Sequence, residues 1–343
     1  MSLTEPALHH RPTLECGYST RPAAELLARD DVLALVSSGS GCRPGSDPRH
    51  YHCGLPSIAG APLHEVWHAG GPVTAGRDGD ISWSCSEGVL FAATWIDEHP
   101  PQRQEAAVHD AYRALLQFVA RRQYNAIVRL WNYLPHINQG EGDSERYRRF
   151  CLGRQRAFND LGFSAASYPA ACALGHQDSR SIIYLLAARD PVTHIENPLQ
   201  QSAYHYPRQY GPASPSFARA TRVDWAGSSA VFVSGTASIL GHETRHAGNL
   251  AGQLQTTLGN LDAVLARCGE QAGPHLPPPR MNLLKVYLRH ASDLAAVRDA
   301  VQRHFPQVPA AYLRGDICRR DLLVEIDGLA SFTACEQGAA IAG

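Results

Sequence analysis

The chain has 343 residues, of which 44% are hydrophobic and 18% charged, and its formal net charge is −1 at pH 7. This near-neutral balance argues against a nucleic-acid partner or an anionic membrane surface, and the lack of an 18-residue apolar run excludes a spanning helix. The nine cysteines are scattered without a CxxC pair, which predicts reduced thiols in a cytoplasmic protein. The N-terminus also lacks the basic and apolar regions of a signal peptide.

The first half of the chain predicts an irregular region followed by a unit of alternating strands and helices. Residues 1–79 are expected to be irregular, because residues 38–80 are rich in Gly, Pro, Ser and His. Residues 80–190 predict a β-α-β-α-β unit from their apolar periodicity. Its elements are expected at residues 82–94, 105–123, 126–134, 144–160 and 181–188.

The same order of elements returns in the second half. Residues 191–224 are expected to be a linker that contributes to a cleft, and residues 225–343 to be a second unit. Its elements are expected at residues 230–239, 249–268, 282–288, 292–305 and 322–326. Tyr133 and Tyr287 align at a separation of 154 residues, which predicts two similar units in tandem. One continuous α/β domain with strands that only look repeated is the alternative.

Two HExxH motifs raise the possibility of a zinc hydrolase, at His64–His68 and at His242–His246. In a metalloprotease both histidines lie on one helix face, so the helix is part of the requirement. Glycines and prolines flank the first copy, and the second directly follows an apolar strand and is followed by Gly248. Both copies are therefore expected in loops, and no metal site is predicted.

Two segments could carry ligand chemistry. Ser234–Gly241 lacks the pattern of a phosphate loop, and it could offer backbone N–H groups to a carboxylate or form a simple tight turn. Glu325 stands among Leu322, Leu323, Val324 and Ile326 in a predicted strand. Burial there would raise the pKa of its carboxyl and suit it to general acid catalysis, whereas a half-exposed strand would leave it in water.

Three blocks of the sequence closely resemble the chorismatases, which are cofactor-independent enzymes that remove pyruvate from chorismate. The blocks are Asn197–Pro212, Val231–His246 and Tyr312–Gly328, and the resemblance extends from about Asp80 to Ala330. Each predicted unit also resembles the YjgF-like fold. The resemblance implies an α/β (α+β) protein of two tandem YjgF-like units, each a mixed sheet with helices packed on one face.

The resemblance also implies roles for individual residues. Glu325 matches the catalytic glutamate of the family. Cys318 occupies the position whose residue type distinguishes the subtypes of the family, and a Cys there implies the subtype that forms 3-hydroxybenzoate. Cys318 could instead be a small buried filler. The residues predicted to bind substrate are Arg148, Arg154, Tyr204, Arg208, Tyr210, Gly235, Thr236, Tyr287 and Arg314. The aromatic linker residues could equally serve interdomain packing.

The implied reaction is cleavage of chorismate to pyruvate and 3-hydroxybenzoate, with 4-hydroxybenzoate as a possible second product of this aromatic secondary metabolism. Glu325 would protonate the enolpyruvyl group, and no metal or organic cofactor is expected. The protein would be a monomer or a small homo-oligomer. Alternatives from other classes are a YjgF-like imine deaminase, a small-carboxylate binding protein and a chorismate mutase-like enzyme.

Overall fold

We describe the protein from a computed structural model, in which residues 14–60, 62–98, 103–225, 228–273 and 276–332 are described. Residues 1–13, the segment on which the expectation about a signal peptide rests, lie outside the described residues. The eight cysteines within it are all free thiols. None of the helices in the described ranges is long and apolar enough to cross a membrane.

The N-terminal region forms a five-stranded sheet, so the expectation of an irregular region was wrong. Its elements are β1 (Leu14–Ser19), α1 (Ala23–Leu27), β2 (Val32–Ser37), β3 (Cys42–Pro44), β4 (His50–Cys53) and β5 (His64–Ala69). The strands lie in the order β1-β5-β2-β4-β3. The strands have only three to six residues, and β1 pairs with the distant β5. The apolar run of β2 was a usable strand signal, whereas the other short strands leave no clear periodicity in the sequence.

The first unit is a six-stranded set that carries two helices. Its elements are β6 (Thr74–Asp78), β7 (Ile81–Ser86), β8 (Val89–Asp97), α2 (Gln104–Arg121), β9 (Ala126–Pro135), α3 (Arg146–Asp160), β10 (Ala170–His176) and β11 (Arg180–Ala188). The strand predicted at residues 82–94 is in fact the hairpin β7–β8. The sequence analysis also missed β10, whose small residues Ala170-Ala-Cys-Ala-Leu-Gly carry little strand signal.

The second unit repeats this sequence of elements. It contains β12 (Val192–Ile195), β13 (Ala220–Trp225), β14 (Ser228–Ala237), β15 (Ile239–Leu240), β16 (Glu243–Thr244), α4 (Leu250–Ala272), β17 (Arg280–Leu288), α5 (Leu294–His304), β18 (Ala310–Arg314), β19 (Asp316–Ile317) and β20 (Val324–Ser331). Both ends of the expected linker, β12 and β13, thus belong to the second sheet. β15 and β16 form a separate small hairpin.

The two units share one topology. The first sheet has the order β6-β7-β8-β11-β9-β10 and the second β12-β13-β14-β20-β17-β18. In each order the last two strands, β9 and β10 in the first sheet and β17 and β18 in the second, are parallel neighbours joined through a helix, as a crossover connection requires. The tandem repeat of mixed sheets is therefore confirmed, with six strands per unit rather than three. β19 crosses over and extends the first sheet beside β10.

Among the described residues, helices cover one face of each unit, as the family resemblance implied. One apolar core lies between the first sheet and α2 and α3, and a second lies between the second sheet and α4 and α5. The opposite faces of the sheets meet in a third core, where Trp67, Phe91, Trp131, Tyr184 and Phe232 pack against one another. The three sheets therefore surround a common aromatic centre.

Polar groups join the sheets inside that centre. The Tyr133 and Tyr287 hydroxyls, which the repeat aligns, lie 3.0 Å apart. Arg129 of the first sheet pairs with Asp327 of the second at 2.8 Å, and Lys285 of the second pairs with Glu65 of the N-terminal sheet at 2.5 Å. Buried charges are costly unless they are paired, and these contacts give each buried charge a partner on a neighbouring sheet.

The two HExxH motifs are not helical. The second lies around the β15–β16 hairpin, as expected, but His64 and His68 lie on strand β5 rather than in a loop. Residues four apart on a strand are separated by about 13 Å, which is too far for both to bind one ion. In the described ranges no group of three or more His, Cys, Asp or Glu side chains could hold a metal ion.

Candidate active site

A cavity of about 260 Å³ lies between the two units, where α3 and the segment between β12 and β13 face the carboxyl end of β14. It is lined by Glu145, Tyr147, Arg148, Tyr206, Gln209, Tyr210, Pro215, Phe217, Arg219, Gly235, Ala237, Ile239, Cys318, Arg319, Arg320 and Glu325. Four arginines and four aromatic rings thus surround two carboxyl groups. This composition suits a compact, planar anion.

Glu325 lies on the wall of this cavity, on the central strand β20. Its backbone is opposite Ala237 on one side and Tyr287 on the other, and the residue is 4% exposed. Burial, assisted by the negative charge of Asp327, raises the pKa of the Glu325 carboxyl to about 8, although Arg129 and Arg219 oppose the shift. The carboxyl is thus protonated at neutral pH, which is the state that a general acid requires.

Gly235 makes room for the Glu325 carboxyl. It lies where the register of β14 against β20 shifts, between Val233 and Thr236. A Cβ at position 235 would lie 2.8 Å from the Glu325 carboxyl carbon and 2.9 Å from the Cys172 Cβ. Carbon atoms pack without repulsion at about 3.5–4.0 Å, so only glycine fits here.

We expect Gly235→Ala to lower kcat for the implied cleavage of chorismate by about 10²-fold. The added methyl group would displace the Glu325 carboxyl by a distance on the order of 1 Å. Steady-state rates of the purified variant measure this effect. Gly259→Ala is the matched control, since a Cβ there meets no atom within 4 Å. Wild-type kcat in Gly235→Ala would show that the carboxyl tolerates the methyl group and is not held against this glycine.

Cys318 lines the same cavity, one residue beyond β19. It is half-buried, and burial together with the Glu325 carboxyl raises the pKa of its thiol to about 12. The side chain is therefore a neutral thiol near pH 7 and a poor nucleophile. It packs against the central core and the first unit's core, so it shapes the cavity wall.

Two arginines that the sequence analysis did not single out carry buried N–H groups at the cavity. Arg219 donates from Nη2 to the Gln201 carbonyl and to the Tyr206 hydroxyl, at 2.9 and 2.8 Å. Arg319 donates from Nη1 to the His242 carbonyl at 2.9 Å. Arg219 Nε and Arg319 Nη2 are buried without a hydrogen-bond partner in the described part of the chain. Unpaired buried donors are costly, so both favour an anionic ligand.

Aromatic rings hold the Arg319 guanidinium in place. It lies 4.0 Å from the Tyr210 ring centroid and 5.3 Å from that of Tyr206. The Tyr210 hydroxyl lies 3.2 Å from Nδ1 of His242, a contact that helps to fix the position of the ring. Tyr210 therefore lines the cavity as predicted, in a position that orients a cation.

Arg148 and Arg154 point to different places, as their spacing on α3 requires. Arg148 lines the cavity and contacts Glu145 at 3.2 Å. Arg154 is buried in the first unit's core, with its guanidinium 5.0 Å from the Phe150 ring centroid. Of this predicted pair, only Arg148 is brought to the cavity.

Five further predicted residues lie outside the cavity lining. Tyr204 packs on the Tyr168 ring, and Arg208 forms an exposed ion pair with Asp143. The Thr236 hydroxyl donates to the Ser234 carbonyl at 2.9 Å. Tyr287 donates to Asp327 at 3.0 Å in the central core. Arg314 lines a different cavity, on the other side of β19.

The cavity residues missed by sequence reasoning come mainly from the segment between β12 and β13 and from the turn after β19. Tyr206 belongs to the aromatic Tyr-His-Tyr-Pro-Arg-Gln-Tyr run, which was a usable signal, whereas Phe217 and Arg219 stand alone in the sequence. Arg319 and Arg320 directly follow Cys318, so their proximity to the predicted catalytic cysteine was a signal as well.

Comparisons with known proteins agree on one family. The model for the N-terminal part of FkbO/Hyg5-like chorismatases matches residues 65–187. A 3-hydroxybenzoate synthase from Streptomyces hygroscopicus is 36% identical over 87% of this chain and 91% of that protein. A chorismatase from the same species is 35% identical over 92% of this chain and 93% of that protein. A crystal structure of a chorismatase superposes with a TM-score of 0.84 at 32% identity, covering 93% of this chain and 99% of that one.

Proposed function

The chain belongs to the chorismatase family, and from that premise we propose that it cleaves chorismate to pyruvate and 3-hydroxybenzoate. The observation that carries the proposal is the buried carboxyl of Glu325, which has a pKa raised to about 8 and faces a cavity rich in arginine. Chorismate matches that cavity chemically, because it is a compact dianion with an enol ether that needs one proton to break.

Glu325 supplies the proton. Protonation of the enolpyruvyl methylene carbon leaves an oxocarbenium-like cation, and the ionised Glu325 remains beside it. Because its pKa is raised to about 8, the Glu325 carboxyl can act as an acid near pH 7. For the same reason the ionised carboxylate is a strong enough base to take up a proton afterwards. Aromatisation of the ring releases a proton, so the acid is regenerated within one turnover.

The arginines hold the two carboxylates of the substrate. Arg219 and Arg319 each have a buried N–H group ready to donate, and the aromatic rings around Arg319 fix its direction. Arg148 lies at the start of α3 on the other wall of the cavity. A guanidinium pairs with a carboxylate through two hydrogen bonds, which orients the ligand as well as binding it.

Cys318 directs the choice of product. Pyruvate and 3-hydroxybenzoate together have the atoms of chorismate, so this route consumes no net water, whereas a dihydroxycyclohexadiene carboxylate requires one water molecule. The neutral Cys318 thiol occupies the cavity wall beside Glu325 and limits the space for water. The substrate's own ring hydroxyl then completes the loss of pyruvate. 4-Hydroxybenzoate, which has the same formula, is a possible minor product.

The decisive experiment is incubation of the purified, chelator-dialysed protein with chorismate and no added cofactor. Pyruvate is measured enzymatically and the aromatic products are separated by chromatography. We expect equal amounts of pyruvate and 3-hydroxybenzoate. Prephenate would contradict the proposal in favour of a mutase, unchanged chorismate would favour a binding protein or an imine deaminase, and loss of activity on chelation would reveal a metal.

The activity should depend on pH through Glu325. The protonated form is the active one, and its pKa is raised to about 8, so kcat should be level near neutral pH and fall as pH rises above about 8. Initial rates of pyruvate release across pH 5–10 test this expectation. A fall that is complete by pH 6 would mean that the acid titrates near the ordinary value for glutamate, and that burial does not raise its pKa.

Cys318→Ala should change the products more than the rate. The smaller side chain leaves room for a water molecule near the cation, so part of the product should shift from 3-hydroxybenzoate to the dihydroxycyclohexadiene carboxylate. Pyruvate release should stay within about tenfold of the wild-type rate, because Glu325 is intact. Product ratios from the same chromatographic assay measure the shift.

Cys151→Ala is the matched control, since Cys151 is also buried near the first unit's helices but does not line the cavity. Its product ratio should equal that of the wild type. An unchanged ratio in Cys318→Ala would reduce this thiol to a packing residue and leave the choice of product to other groups.

A further inference from the structure

A second cavity, of about 250 Å³, lies where all three sheets meet, and it is nearly as large as the first. The N-terminal sheet contributes Gly41 and Gly54, the β10–β11 turn contributes Asp178, and the second unit contributes Arg314 and Asp316. Pockets for drug-sized ligands measure about 300–1,000 Å³, so this one suits a smaller molecule.

The second cavity shares a wall with the candidate active site. The chain from Arg314 to Asp316 faces the second cavity, and the residues from Cys318 to Arg320 face the first. Arg289 fixes this segment, because it pairs with Asp316 at 2.7 Å and donates to the carbonyls of Ile317 and Arg319. The two cavities are therefore adjacent but separately lined.

The charged groups of the second cavity differ in how many hydrogen-bond and ion-pair partners they have. Asp316 is paired with Arg289 at 2.7 Å and accepts a hydrogen bond from Gln177 Nε2 at 3.4 Å. Asp178 accepts backbone N–H groups from Cys42 and Ser179 at 2.6 Å and the Ser179 hydroxyl at 3.3 Å. The Arg314 guanidinium is exposed and has no hydrogen-bond or ion-pair partner within the described ranges. A cation without a partner thus lies near two carboxylates that can each accept a further hydrogen bond.

Glycines bring the walls together and keep the interior open. A Cβ at Gly175 would lie 2.9 Å from the Asp316 Cβ, and one at Gly315 would lie 3.0 Å from a Leu55 methyl group. Gly54 has a φ of 75°, which L-residues with side chains rarely adopt. The cavity is thus built by close approaches of backbone that larger residues would prevent.

We propose that this cavity is a second ligand site, for a small monocarboxylate that also carries a hydrogen-bond donor, an ammonium or a hydroxyl group. Arg314 binds the carboxylate of the ligand, and the Asp178 and Asp316 carboxylates accept from its donor group. The proposal does not depend on the reaction in the first cavity, because none of the three residues lines that cavity.

Glycine amides test the proposal site by site. In protein labelled with ¹⁵N-glycine, Gly41, Gly54 and Gly315 report on the second cavity and Gly235 on the first. The probes are L-alanine, which has an ammonium group, 3-hydroxybenzoate, which has a hydroxyl, and acetate, which has neither. At least one of the first two should shift the second-cavity amides with saturation, and acetate should bind at least about tenfold more weakly.

Two variants act on the cavity in different ways. Arg314→Gln removes the cation and should weaken binding at the second-cavity amides by at least about tenfold. Ser40→Trp, at an exposed position of the lining, should block the same site sterically. Arg280→Gln is the matched control, since Arg280 is also exposed but begins β17, whereas Arg314 lies opposite Leu288 at the end of that strand, about 26 Å away.

Both variants should keep wild-type turnover of chorismate, so a failure here is distinguishable from a failure of the proposed reaction. The proposal is overturned if neither L-alanine nor 3-hydroxybenzoate shifts the amides of Gly41, Gly54 and Gly315. It is also overturned if Arg314→Gln and Ser40→Trp both bind the probes as tightly as the wild type does.

Discussion

Glu325→Gln should lower kcat for pyruvate release by at least about 10²–10⁴-fold, the range expected for loss of a general acid. The amide has nearly the same shape as the carboxyl but has no acidic proton to deliver to the enolpyruvyl carbon. Burial raises the pKa of the Glu325 carboxyl to about 8, and the second carboxyl of the cavity lining, Glu145, is paired with Arg148 at 3.2 Å. Single-turnover assays with excess enzyme measure the chemical step directly.

The binding of chorismate to Glu325→Gln should remain near that of the wild type, because the substrate carboxylates are held by arginines. Fluorescence or calorimetric titration provides this control. Glu145→Gln is the matched variant, since Glu145 also lines the cavity but is paired with Arg148 at 3.2 Å. It should retain most of the activity. If Glu325→Gln turned over chorismate at the wild-type rate, the acid would be a different group.

Glu65→Gln should destabilise the protein by about 3–5 kcal/mol, the typical cost of leaving a buried charge without its partner. Glu65 accepts a hydrogen bond from Trp67 Nε1 at 2.8 Å, and Lys285 is its ion-pair partner at 2.5 Å. Both side chains of the pair are 6% exposed. Since whole proteins are stable by only about 5–15 kcal/mol, the midpoint of urea unfolding should fall markedly.

The exposed pair of Arg21 and Glu25 provides the control for this measurement. Glu25→Gln makes the same chemical change in a pair whose side chains are more than half exposed, so it should leave the unfolding midpoint nearly unchanged. Replacing Glu65 and Lys285 together with Leu and Met should cost less than Glu65→Gln alone, because no charge is then left unpaired. Equal midpoints for Glu65→Gln and the wild type would show that the pair does not join the sheets.

The sequence by itself determined the features that depend on neighbours along the chain. The apolar residues around Glu325 predicted a buried strand, and the structure places this carboxyl on one, with a raised pKa. The alignment of Tyr133 with Tyr287 predicted the repeat, and their hydroxyls meet in the central core. Periodic helices and long apolar strands were found for the same reason, since their patterns are local.

Only the tertiary structure decided which arginines face the cavity. Arg148 and Arg154 lie on one helix, and their spacing showed that their side chains point in different directions. The spacing did not show which of the two faces the cavity. Arg219 became a cavity residue because the segment between β12 and β13 folds back over β14, and Arg319 because β19 crosses to the first sheet. Arg314 lies only a few residues before Cys318 in the sequence, but it lines a separate cavity.

The N-terminal sheet was the largest feature that sequence reasoning missed. Its strands are short and pair across long separations, as β1 does with β5, so each is stable only against partners that local patterns cannot reveal. Glu65 belongs to the first HExxH motif, but nothing in that pattern indicated that its carboxylate joins the N-terminal sheet to Lys285 in the second unit. Local periodicity follows from the backbone geometry of one segment, whereas a site is built from distant segments whose approach is set by packing of the whole chain.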